Sequence, residues 1–94
     1  MKVGNKATYI CHLTDEVVAR RGLPYTSFEV SFEVVESGAF AYGNQTATIM
    51  TESTGAERYF DTRYWHDSFE DLCHHLISDS YGKNVEKYEL KEEA

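Results

Sequence analysis

Four histidines, His12, His66, His74 and His75, are the residues best suited to metal ligation or proton transfer near neutral pH. His66, Glu70 and His74 recur four residues apart, so on one continuous helix they would share a face and could hold a metal ion. His66 precedes the expected helix cap, however. The competing reading makes His74 and His75 surface partners of Glu70, Asp71 and Asp79. A second arrangement is Glu89-Leu90-Lys91 with Asp61 on an earlier strand, an acid-x-lysine spacing that can hold Mg²⁺ and activate water. Its surroundings are strongly acidic and would repel a phosphate backbone. Cys73 stands next to His74, but adjacent helix positions do not face each other, and Cys73 falls on an apolar stripe where a thiol is inert. The six glycines are scattered, so no loop resembles a phosphate cradle. The expectation is a non-enzymatic protein with no catalytic residue, no metal and no cofactor.

Charge is the strongest remaining signal. Sixteen Asp and Glu against nine Lys and Arg leave a formal charge of −7 over 94 residues. From Asp67 onward, Asp67, Glu70, Asp71, Asp79, Glu86, Glu89, Glu92 and Glu93 face only Lys83, Lys87 and Lys91, so most of the excess lies in the last third. Glu29 and Glu33 add a negative stripe on a strand. One reading is simple solubility. The functional reading is that Glu70, Asp71, Asp79, Glu86, Glu89, Glu29 and Glu33 form an acidic face that stands in for phosphates. Such a face would be steered toward a basic, nucleic-acid-binding partner. Direct nucleic-acid binding is not expected. Tyr59, Tyr64 and Trp65 place rings on both sides of another strand. They serve either as partner contacts, where Tyr and Trp are enriched, or as a second small core.

The elements that must position these residues follow from periodicity. Ala7 to Leu13 alternates, with Tyr9, Cys11 and Leu13 on one face. Thr14 can cap a short helix with Asp15 and Glu16 in its first turn, Arg20 and Arg21 in its last, and Gly22 at its exit. Thr26 to Val35 alternates most clearly, with Phe28, Val30, Phe32 and Val34 inward. Glu36-Ser37-Gly38 is expected to turn the chain. Gln45 to Thr51 follows as a strand with Ala47 and Ile49 on one side, then Arg58 to Trp65. Ser68 to Tyr81 is the best helix: Phe69, Leu72, Cys73, Leu76 and Ile77 form one stripe, with Asp67 or Ser68 as N-cap. Val85 to Leu90 is the last strand, with Tyr88 and Leu90 inward. Residues 91–94 are expected to fray. The order β, short α, three β, α, β predicts one α+β domain over residues 1–94. Its architecture is a two-layer sandwich, an antiparallel sheet of four to five strands with one main amphipathic helix on one face.

Composition bounds the rest. At 41% apolar and 14% aromatic the chain is globular rather than disordered. No apolar run is long enough for a transmembrane helix. The N-terminal MKVGNKATYI lacks the apolar core of a signal peptide, and Cys11 and Cys73 read as reduced core thiols, so a cytoplasmic location is expected. A folded surface of about 5,500 Å² leaves one core and little room for a deep cavity. In size, acidity and a βββα layout carried by Phe28 to Val34 and Asp67 to Ile77, the chain resembles small acidic phage and mobile-element inhibitors of the anti-CRISPR and anti-restriction type. It is also similar to the small acidic immunity proteins that neutralise toxic nucleases. The resemblance implies an inhibitor that blocks a host defence nuclease or CRISPR effector. A self-associating adaptor built on the aromatics, and hence a homodimer, is the first alternative. A small metal-dependent enzyme is the second.

Overall fold

The computed structural model describes residues 1–40, 43–62 and 66–94. Its elements are β1 (Lys6–Leu13), α1 (Asp15–Arg21), β2 (Ser27–Phe40), β3 (Gly43–Glu52), β4 (Glu57–Thr62), α2 (Phe69–Tyr81) and β5 (Val85–Glu93). The strands form one antiparallel sheet in the order β4-β3-β2-β1-β5. This is the expected α+β sandwich.

Alternation decides which face is covered. Cys11 lies opposite Phe28, Tyr9 opposite Val30 and Ala7 opposite Phe32, so all six side chains enter one core. Val34 and Met50 join them from β2 and β3. The stripe of Phe69, Leu72, Cys73, Leu76 and Ile77 on α2 closes that core from above. Ser68 caps α2, its hydroxyl accepting the Asp71 N–H at 3.1 Å. Thr14 caps α1 in the same way, accepting from Val17 N–H at 3.3 Å. Gly22 ends α1 at φ 60°, ψ 41°, a conformation that strains any residue with a Cβ.

Three sequence expectations change, and the core face of β3, left open by the sequence, is settled. Glu36-Ser37-Gly38 does not turn the chain: β2 absorbs an irregularity between Val34 and Glu36 and pairs on to Phe40, opposite Gly43. A bulge takes up the odd residue without ending the strand. On β3 the core face is Thr48 and Met50, set opposite Val34 and Phe32, while Ile49 is only half-buried on the other side. The run TATIMT offers small or apolar residues at both parities, so partner register settles the face. Leu90 on β5 stays 50% exposed because it sits on a sheet edge, although Tyr88 packs against the core as expected. Residues 91–94 are paired instead of frayed. β5 runs to Glu93, and Lys6 and Ala94 exchange both backbone hydrogen bonds.

The 14-residue β2 sets the length of the molecule. At about 3.3 Å per residue it spans the longest axis, which is 46 Å against 22 and 19 Å. That elongation accounts for an accessible surface of 6006 Å², larger than expected for a compact chain of this length.

Candidate functional site

α2 presents Glu70, Asp71 and Asp79 to solvent, outside its buried stripe. The helix carries no Lys or Arg. Its carboxylates meet imidazoles instead: Glu70 Oε1 lies 3.7 Å from His74 Nε2, and Asp79 Oδ2 lies 3.1 Å from His75 Nε2. Asp71 makes no ion pair among the described residues.

The other predicted carboxylates do not lie on that face. Glu29 and Glu33 alternate with the buried Phe28, Val30, Phe32 and Val34, so they project from the sheet side away from α2. Glu89 lies opposite Ile10, itself opposite Glu29, and belongs to the same outer side. There each carboxylate has a basic neighbour. Lys91 Nζ donates to both oxygens of Glu29 at 2.9 and 3.1 Å, which holds that ammonium's pKa above its ordinary value. Lys6 Nζ is 3.7 Å from Glu33, and His12 Nε2 is 3.1 Å from Glu89. Glu86 is exposed within the register shift between Lys87 and Val85. The seven carboxylates therefore fall on two sides of the sheet, and the α2 set is the one without lysine or arginine.

The histidine triplet does not assemble. His66 lies outside α2 and is only 6% exposed. Its ring sits 5.4 Å from the ring of His75, not against Glu70 and His74. Burial, with His75 adding to it, holds the His66 pKa below the ordinary histidine value, and Asp71 opposes that shift. His74 packs edge-on to Tyr9 at 5.6 Å and Tyr88 at 5.1 Å. Among the described residues, no three His, Cys, Asp or Glu side chains converge to hold a metal ion. The His66–His75 contact went unseen in the sequence because a nine-residue spacing across a helix start has no periodic signature.

The remaining candidates disperse. Asp61 is on β4 and Glu89-Leu90-Lys91 on β5, at opposite edges of the sheet. Cys73 is fully buried with its pKa pushed up to about 12, and Cys11 with its own pushed up to about 11, both chiefly by desolvation. Neither is a nucleophile in the folded state. Tyr59 is 61% exposed, in register with Ile49 on the outer side, while Tyr64 and Trp65 lie outside the described residues.

Comparison with family models, curated proteins and solved structures finds no match to this chain. Among the described residues no helix is long and apolar enough to cross a membrane.

Proposed function

We propose that this chain is a small, non-enzymatic, cytoplasmic binding protein that uses the acidic face of α2 to block a basic, nucleic-acid-binding partner. One observation carries the reading. Glu70, Asp71 and Asp79 are all exposed on a helix with no lysine or arginine, whereas Glu29 and Glu33 on the outer sheet stand beside Lys91 and Lys6. Exposed carboxylates on a helix without lysine or arginine offer a partner's phosphate-binding surface an alternative anion. The class resemblance in size, charge and layout favours a defence nuclease or CRISPR effector as that partner.

The test is affinity capture from a host lysate by the wild-type chain and by the triple variant Glu70→Lys, Asp71→Lys, Asp79→Lys. A second variant, Glu29→Lys with Glu33→Lys, reports on the outer sheet. A nucleic-acid-binding protein retained at low salt, released at high salt and lost only with the α2 variant is the expected result. The captured protein should also lose its nucleic-acid binding when the wild-type chain is added. Retention unchanged by the α2 variant would overturn the reading.

The exposure of Tyr59 favours a second reading, self-association through the outer sheet. Its mark is a dimer in sedimentation that persists at high salt and is lost in Tyr59→Ser.

A further inference from the structure

A cleft of about 360 Å³ opens where α1, the C-terminal end of α2 and the β3–β4 turn meet, at the lower end of the range for small-molecule sites. One wall is apolar, formed by Leu13, Val17, Leu23, Tyr25 and Phe28, and the rest of the lining is polar, Thr54, Ser80 and Asn84 included. Its rim carries Arg21 and Arg58. Both guanidinium groups are exposed, and among the described residues neither makes an ion pair, in a chain with sixteen carboxylates. Arg20, next in sequence, is paired with Glu16.

Among the described residues one carboxylate lines the cleft, and it is already engaged. Glu52 accepts from the Tyr81 hydroxyl on one oxygen and from the Thr54 hydroxyl at 2.8 Å on the other. Burial and the Glu52 bond both raise the Tyr81 pKa, so its hydroxyl stays a donor at neutral pH and keeps Glu52 in place. Phe28 holds the Tyr81 ring edge-on at 5.0 Å. Two arginines against one glutamate give this cleft a net positive charge in a molecule whose total is −7. The concavity on the outer sheet differs, because there Lys6 faces Glu33 and the Thr8 hydroxyl meets that of Ser31.

From this juxtaposition we infer that the α1–β4 cleft binds a small organic anion with an apolar body, its carboxylate met by Arg21 and Arg58 and its body laid on Leu23, Tyr25 and Phe28. Guanidinium forks suit a planar carboxylate, and the apolar wall supplies the area that an inorganic ion would not use. This site is separate from the acidic α2 face and does not depend on it.

Hydrocinnamate and its neutral amide, hydrocinnamide, are the probes, titrated into the full-length ¹⁵N-labelled protein. Saturable shifts of the Leu23, Tyr25, Phe28 and Arg58 amides by the acid are expected. The amide should bind about tenfold more weakly or worse, the loss that follows from removing a charge-assisted hydrogen bond. Arg21→Gln and Arg58→Gln should each weaken the acid by a similar factor, while Arg20→Gln leaves it unchanged. All three side chains are exposed, so the amide spectra of the variants should otherwise overlay the parent. No saturable shift at millimolar acid, equal binding of acid and amide, or full affinity in both cleft variants would overturn the proposal.

Discussion

The buried imidazole of His66 ties stability to pH, because the fold opposes its protonation. His75 and Asp71 on α2 are the titratable groups acting on it, one lowering its pKa and the other raising it, and burial is the larger cause. The folded pKa lies below the ordinary 6.5. Between the two values the unfolded chain binds more protons, so stability is complete above 6.5 and falls as the pH drops toward the folded value. Urea midpoints measured from neutral to mildly acidic pH should decline, and the decline should be shallower in His66→Gln. Equal slopes in the two proteins would mean that His66 contributes none of it. The thiols make a second prediction at this scale. With Cys11 at about 11 and Cys73 at about 12, both buried, a disulfide-exchange reagent at mildly alkaline pH should modify them only as fast as the chain unfolds. Rapid modification of the native protein would contradict the packing of both.

Helix α2 depends on its cap and on its stripe, and the two can be separated. Ser68→Ala removes the acceptor of the Asp71 N–H and should cost about 1 kcal/mol in chemical denaturation, leaving the exposed surface intact. Leu72→Ala empties the centre of the core and should cost about 2–5 kcal/mol. A Ser68→Ala loss as large as that of Leu72→Ala would mean that the cap holds more than the first turn. Both sites were legible in the sequence, because the i, i+3, i+4 stripe and a serine before it are local signals. The outward position of Glu70, Asp71 and Asp79 followed from the same periodicity. What local pattern did not carry was register. Gln45 to Thr51 has no strong parity, so only pairing with Phe32 and Val34 turns Thr48 and Met50 inward. The division of the carboxylates was hidden for a related reason. Glu29 and Glu33 were rightly placed on a solvated strand face, but that Lys6 and Lys91 stand beside them comes from long-range strand pairing. The cleft beneath Arg21 and Arg58 was equally illegible, since one residue closes a helix and the other lies on an edge strand far along the chain.

Across the whole molecule the charge is distributed unevenly, and this makes its response to salt informative. The α2 side carries carboxylates without lysine or arginine, the outer sheet carries paired charges, and the α1–β4 cleft is net positive. A total of −7 on one small domain opposes compaction by self-repulsion, most of all where no lysine or arginine stands beside the carboxylates. Raising the ionic strength from about 10 mM to about 0.2 M shortens the screening length from about 30 Å to below 10 Å, less than the span of the molecule. The wild-type melting temperature should therefore rise with sodium chloride. Reversing Glu70, Asp71 and Asp79 to lysine changes the charge by two at each site and takes the total from −7 to −1. In that variant the salt response should flatten, and the low-salt melting temperature should exceed that of the wild type. Reversing Glu29 and Glu33 also lowers the net charge, but it sets lysines beside Lys91 and Lys6, so it should destabilise the protein at low salt. Opposite signs for the two variants locate the self-repulsion on α2, the face proposed to meet the partner. Matching signs would mean that net charge alone governs stability, and the structural distinction between the two acidic sides would lose its energetic basis.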